Sequence, residues 1–216
     1  MASHLTFDAK DESETDHFAA ALARVLPAGA VVALIGTLGA GKTRLVQAVA
    51  RAVGIDSREV VSPTFVLVHE YEVRVQGSRH GGHAGIRVQG AQSPKSKVQS
   101  PTSDAGDLGP WTLDLGPSTP ADQTTGHETP PSRLYHLDAY RIKDDDEFHE
   151  LGPEEYFESD GWTFVEWADR VADCLPSDYL QIAIEVIAPT ARRFTLTAVG
   201  NRFGLTIEAI RAALAA

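Results

Sequence analysis

The chain has 216 residues, is 43% hydrophobic, and sets 30 Asp and Glu against 19 Lys and Arg for a net charge of −11. That balance argues against a broad basic face gripping nucleic acid through this chain's own surface, and the single cysteine, Cys174, excludes a disulfide framework or a cysteine-based metal site. No apolar run approaches the roughly 18 residues of a membrane span, and residues 1–8 lack the apolar segment of a secretory leader, so a cytoplasmic protein without membrane contact is expected.

In chain order, residues 11–26 read as a first helix. Ser13 with Asp16 forms a capping-box-like start, Phe18, Leu22, Val25 and Leu26 share one face, and Pro27 and Gly29 end it. Residues 30–35, A-V-V-A-L-I, read as a buried strand. The stretch G-T-L-G-A-G-K-T at 36–43 follows and fits the phosphate-binding pattern G-x-x-x-x-G-K-[ST] without a mismatch. After it, Leu45, Val46, Val49, Ala50 and Val53 recur at helical spacing, and Gly54 stands where a helix ends.

Strand, glycine loop and helix form the context this chemistry needs. Glycines let successive backbone N–H groups turn toward phosphate oxygens, and the helix N-terminus adds its positive dipole end. The candidate nucleotide contacts are Gly36, Leu38, Gly39, Ala40, Gly41, Lys42, Thr43 and Arg44. Lys42 would reach the β- and γ-phosphates, and the Thr43 hydroxyl would sit on Mg²⁺.

Beyond this unit, V-V-S-P-T-F at 60–65 leads into a strand to residue 73 in which Phe65, Leu67, Tyr71 and Val73 alternate with more polar positions. Pro63 holds Ser62 extended, so the entry is stiff. Thr64 there reads either as part of an ordinary strand entry or as a hydroxyl that senses the γ-phosphate. From 76 to 132, Gly, Pro, Ser, Thr and Gln dominate, and the one bulky apolar cluster is at 108–115 with Trp111. That composition cannot offset chain entropy, and the segment reads as a disordered insertion in a single domain of 1–216. His80 and His83 within it, lacking carboxylate or thiol neighbours, read as solvated.

Residues 134–141, L-Y-H-L-D-A-Y-R, read as a strand that forms an antiparallel hairpin with the one before the insertion, whose tip the insertion extends. Residues 143–147 open a short acidic helical stretch, with Phe148 and Leu151 on one side. A strand at 162–167, a short helix at 168–175, paired strands at 180–186 and 193–199, and a closing helix at 206–215 complete the reading. The expected fold is α/β: a P-loop NTPase-like three-layer domain with a mixed parallel/antiparallel sheet.

Asp138 and Glu166 fall at or near strand ends, the edge where ligands bind in open α/β sheets. They are candidates to hold Mg²⁺ and to orient the attacking water. Arg141 reads either as a neutraliser of phosphate charge or as a surface ion-pair partner. No N-K-x-D base-reading motif accompanies the loop, so ATP is favoured as the nucleotide. A small-molecule kinase shares such a loop, and a non-hydrolysing ATP-binding scaffold is a third class.

Four motifs in order, G-T-L-G-A-G-K-T, S-P-T-F, H-L-D-A-Y-R and V-E-W-A-D-R, resemble the TsaE family of bacterial P-loop ATPases over about 10–75 and 133–200. The resemblance implies ATP and Mg²⁺ as cofactors and a weak, partner-stimulated ATPase. TsaB and TsaD would be its partners in threonylcarbamoyl modification of adenosine-37 of tRNA, with tRNA contacted only indirectly. It further implies that Lys42, Asp138 and Glu166 are catalytic and that Thr43, Asp138 and Glu166 gather the metal. Thr64 would belong to a nucleotide-responsive loop, and Trp167 would lie next to the nucleotide. This chain departs from the family pattern in Thr37, where many members carry aspartate, and in the insertion at 76–132.

Overall fold

The computed structural model describes residues 4–56, 58–64, 67–73, the backbone of 87–88, and 131–215. These residues belong to one unit, Met1–Gly90 with Glu128–Ala216; a second unit, Ala91–His127, lies outside the described residues. The strands in chain order are β1 (His4–Ala9), β2 (Val31–Ile35), β3 (Val68–Glu72), β4 (Arg87–Val88), β5 (Arg133–Asp138), β6 (Trp162–Glu166), β7 (Tyr179–Val186) and β8 (Arg192–Val199). The helices are α1 (Glu12–Val25), α2 (Lys42–Ala52), α3 (Asp145–His149), α4 (Pro153–Phe157) and α5 (Gly204–Leu214).

One eight-stranded sheet runs in the order β1-β8-β7-β2-β6-β5-β3-β4. Its centre is parallel: β2 lies between β6 and β7, and β5 runs beside β6. Both flanks are antiparallel, through β1, β8 and β7 on one side and β5, β3 and β4 on the other. Parallel strands covered on both faces need near-continuous apolar runs, and V-V-A-L-I in β2 and W-T-F-V-E in β6 supply them.

Alternation along each strand feeds two cores. Leu34, Leu134, Trp162 and Phe164 pack with Phe18, Leu22, Leu45, Val49 and Ile207, under α1, α2 and α5. Ala33, Leu137 and Val165 pack on the other face with Phe148 of α3, Tyr156 of α4, Ala168 and Val171. The result is three layers. Each fully buried Leu or Phe in these cores contributes about 1.5–3 kcal/mol of transfer free energy. The mixed α/β sheet read from the sequence is therefore observed, and β3 and β5 pair antiparallel from Val68 opposite Leu137 to Glu72 opposite Arg133. Arg87–Val88 pairs with β3 at the sheet edge; residues 76–86, 89–130, His80, His83 and the 108–115 cluster lie outside the described residues.

Several local expectations are corrected. The α1 cap is Asp11, whose side chain accepts from Glu14 N–H at 2.9 Å, while the Glu14 carboxylate accepts from Lys10 N–H at 2.9 Å. The helix is thus capped two residues earlier than a Ser13 start would place it, with the first-turn Glu14 N–H satisfied by the Asp11 side chain. The strand expected through Leu67 begins at Val68, because Leu67 takes a left-handed φ of 73° and its N–H closes a turn onto Pro63 O at 2.6 Å. The helix expected at 168–175 is two 3₁₀ turns, Ala168–Arg170 and Ala172–Cys174, separated by Val171 at φ −129° with its side chain buried. The final helix starts at Gly204. Strand β1 and helix α4 are additions to the sequence reading.

Candidate nucleotide site

Sequence position alone brings the loop at 36–43 to the C-terminal end of β2. Two of its glycines are required by geometry. A Cβ on Gly36 would stand 2.6 Å from Ile184 O, and Gly41 holds a φ of 109° as the residue before α2. No side chain caps α2, so its first-turn N–H groups are available to an anion. Ala40 N–H donates to Thr37 O at 3.1 Å, and Arg192 Nε, from β8, donates to Ala40 O at 2.8 Å. The loop is thus held both from within and by the antiparallel flank of the sheet.

Lys42 is buried and folds back over the loop. Its Nζ donates to Gly36 O at 2.8 Å and Thr37 O at 3.1 Å and lies 3.6 Å from the centre of the Trp167 ring. Desolvation, the largest influence, holds its ammonium below the ordinary lysine value, against the opposing pull of Glu166, Asp138 and Asp169. Trp167, just past β6, takes a left-handed φ of 56° and packs on Tyr140 with ring centres 4.9 Å apart.

The two strand-end carboxylates sit opposite each other in register across β5 and β6. Thr43 Oγ1 donates to Glu166 Oε1 at 2.6 Å, and His136 Nε2 lies 2.7 Å from the same oxygen. Asp138 is engaged differently. Its Oδ2 accepts from Ser62 Oγ at 3.1 Å and from Thr64 Oγ1, and its Oδ1 accepts from Tyr140 N–H at 2.8 Å. Gln47 of α2 donates to Val60 O at 2.8 Å, tying the Ser62–Thr64 segment to the helix that begins with Lys42. His69, opposite His136 in the β3–β5 ladder, is held below the ordinary histidine range by burial and then by His136.

These groups line a cavity of about 410 Å³ whose walls include Leu38, Gly39, Gly41, Lys42, Thr43, Arg44, Gln47, Ser62, Thr64, Asp138, Tyr140, Glu166 and Trp167. Residues far apart in sequence converge on it. Arg141 is exposed and lines neither this cavity nor the next. Arg44, expected as a nucleotide contact, is braced to α1, its Nη2 donating to Asp16 Oδ1 at 2.6 Å and its Nε to Glu12 Oε2 at 3.4 Å.

A second cavity, of about 570 Å³, opens on the other side of the same loop and shares Gly39, Gly41 and Arg44 with the first. Its other walls include Glu12, Ser13 and Thr15 at the start of α1, Pro189 and Thr190 from the β7–β8 turn, and Arg192 of β8. No local pattern in the chain links the start of α1 or the β7–β8 turn to the phosphate loop. Only the pairing of β7 with β8 and the contact of α1 on α2 bring them to the loop.

The Thr43 hydroxyl and the Glu166 and Asp138 carboxylates are hard oxygen donors of the type Mg²⁺ takes. Among the described residues no cluster of three or more His, Cys, Asp or Glu forms an all-protein metal cage. Mg²⁺ does not require one, since it keeps waters and takes phosphate oxygens beside one or two carboxylates. The donor set fits.

A family model described as "Threonylcarbamoyl adenosine biosynthesis protein TsaE" matches residues 9–83 and 123–194. The tRNA threonylcarbamoyladenosine biosynthesis protein TsaE of Bacillus subtilis is 30% identical over 90% of this chain and 86% of its own length. The protein of the same name from Treponema pallidum is 25% identical over 87% of this chain and 96% of its own. The crystal structure of Bacillus subtilis YdiB superposes with a TM-score of 0.60 at 25% identity, covering 98% of this chain and 97% of that one. A phosphate loop hydrogen-bonded to a strand-end glutamate, together with the family match over residues 9–83 and 123–194 and the likeness to these relatives, makes the chain a P-loop, ATPase-like member of the TsaE family.

Proposed function

We propose that the protein binds and hydrolyses ATP in the threonylcarbamoyladenosine modification of tRNA, acting in the cytoplasm on TsaB and TsaD rather than on tRNA itself. The observation that carries the reading is the joining of Thr43, in the phosphate loop, to Glu166 at 2.6 Å, directly beside Lys42 and Trp167. In this reading the smaller cavity takes the phosphates and the larger one, at the start of α1, takes the nucleoside.

Backbone N–H groups of the loop and of the first turn of α2 receive the phosphates, and Lys42 exchanges its carbonyl partners for phosphate oxygens. Thr43, Glu166 and Asp138 would hold Mg²⁺, which neutralises charge on the transferred phosphoryl group. Glu166 orients the attacking water, with one carboxylate oxygen fixed by Thr43 and His136. Thr64 and Ser62 rest on Asp138, and nucleotide arrival competes for that carboxylate, so the segment before β3 changes its partners with the nucleotide state. A net charge of −11 accords with leaving tRNA contact to the partners.

The test is ATP hydrolysis by the purified protein alone and with TsaB and TsaD, with Lys42→Ala as control. Hydrolysis that rises with the partners and falls in the variant supports the reading. ATP consumption that ignores the partners and needs a small acceptor overturns it in favour of a kinase.

A further inference from the structure

His136 is fully buried, on the face of β5 that otherwise carries Leu134 into the core beneath α1 and α2. A histidine on such a face is ordinarily a core residue with both ring nitrogens satisfied. His136 departs from that pattern. Its Nε2 lies 2.7 Å from Glu166 Oε1, whereas its Nδ1 is buried with no hydrogen-bond partner. A carboxylate offers only acceptors, so Nε2 carries the proton that bridges to it. The arrangement therefore places the Nε2–H of the ring on Glu166 Oε1.

Both donors that reach Glu166, the Thr43 hydroxyl and the His136 ring, use the same oxygen. Among the described residues Oε2 has no hydrogen-bond partner. Two donors on Oε1 fix the plane of the carboxylate and commit the other oxygen to whatever occupies the cavity. We propose that His136 is a positioning residue that, through Nε2–H, sets which oxygen of Glu166 faces the phosphate cavity. The inference rests on the ATPase reading for its consequence in turnover, but not for its geometry. Removing a ring that orients a metal-side carboxylate costs about 10- to 100-fold in metal affinity or activity.

The deciding experiment compares the wild type with His136→Leu, which removes the donor, and His136→Gln, whose amide nitrogen restores one at similar reach. Three readouts are taken. In nucleotide-free protein, ¹⁵N-resolved ring spectra give the tautomer, with the His136 signals identified by their loss in His136→Gln. Electron paramagnetic resonance gives Mn²⁺ affinity in the presence of ADP. Steady-state ATP hydrolysis gives kcat and KM.

The expected result is a ring that carries a proton at Nε2. His136→Leu should lose about 10- to 100-fold in Mn²⁺ affinity and kcat while KM for ATP stays within about threefold, and His136→Gln should recover most of the loss. Three results overturn the proposal: the opposite tautomer, wild-type Mn²⁺ affinity in His136→Leu, or equal losses in both variants that track their melting temperatures. If the wild type hydrolyses no ATP, the ATPase reading fails, while the tautomer and Mn²⁺ affinities still decide the role of His136.

Discussion

Lys42 rests its ammonium 3.6 Å from the centre of the Trp167 indole while its hydrogen bonds go to the Gly36 and Thr37 carbonyls. The cation that a phosphate loop offers to its ligand is thus parked on the protein, and binding must lift it away. A cation over an indole face is a contact of about 0.5–2 kcal/mol, small beside the charge-assisted bonds that phosphate supplies.

The first prediction follows from that contact. In a Trp111→Phe background, ATP or ADP should change the fluorescence of Trp167, and Trp167→Phe should abolish the change, since Trp162 is buried with its indole N–H donating to Pro27 O at 3.0 Å. Lys42→Ala should weaken nucleotide binding about ten- to a hundredfold, the equivalent of roughly 1.5–3 kcal/mol for a hydrogen bond to a charged group. A fluorescence titration of both variants checks it. An unchanged affinity in Lys42→Ala would remove Lys42 from the binding site.

The second separates the two carboxylates. Asp138 already accepts from Ser62, Thr64 and the Tyr140 N–H, whereas Glu166 keeps one oxygen uncommitted among the described residues. Glu166→Gln should therefore lower kcat about 10²- to 10⁴-fold, the range for loss of a general base. Asp138→Asn should cost less in kcat and should loosen the 61–64 segment. Steady-state kinetics and hydrogen exchange on the two variants discriminate; a larger kcat loss in Asp138→Asn would reverse the assignment.

The third concerns pH. Burial holds Lys42 below the ordinary lysine value of 10.5. Phosphate arriving beside it favours the charged form, so the bound state holds the proton more tightly than the free state. Affinity for ATP should be constant while free Lys42 is fully protonated and should fall as pH rises through its lowered pKa, with proton uptake on binding. Lys42→Arg, which stays charged throughout, should bind with no such alkaline decline. Calorimetry in buffers of different ionisation enthalpy measures the uptake; proton release would contradict the sign.

The fourth concerns the long connection. The β3–β5 ladder ends with Glu72 opposite Arg133, and Val73 N–H donates to Ser132 O at 2.9 Å. The chain therefore leaves and re-enters the sheet one hydrogen bond apart, and a short turn can join 74 to 131. Shortening the closed loop by about four doublings relieves roughly 2 kcal/mol of closure cost, offset by lost pairing of Arg87–Val88 with β3. ATP turnover of the shortened protein should remain within about threefold of the full chain, with melting temperature altered by only a few degrees. Loss of the folded state would show that the segment contributes to the core.

How much of this was legible depends on how local each feature is. The loop, its flanking β2 and α2, and the core positions Leu45, Val46 and Val49 are all encoded within a short stretch, and they fold as the pattern requires. Asp138 and Glu166 could be found because each closes an apolar strand. Strand β1 could not: Leu5, Phe7 and Ala9 alternate over only six residues at a sheet edge, where β8 rather than local propensity defines the strand. Asp11 and Ser13 are both competent caps, and the choice between them falls to the Glu14 bonds that only the folded chain displays. The partnership of His136 with Glu166 requires knowing that β5 and β6 are neighbours.

Leu67 and Trp167 are the non-glycine residues with left-handed backbone among those described; Trp167, after β6, lines the phosphate cavity, and Leu67, before β3, accepts from Asp138 N–H at 3.1 Å. Each such conformation costs about 1–3 kcal/mol. A glycine at 167 would relieve that strain but would erase the ring that stands over Lys42. Selection for heat resistance and selection for nucleotide use therefore pull this position in opposite directions, and a library screened only for thermal survival should accumulate glycine there at the expense of the site.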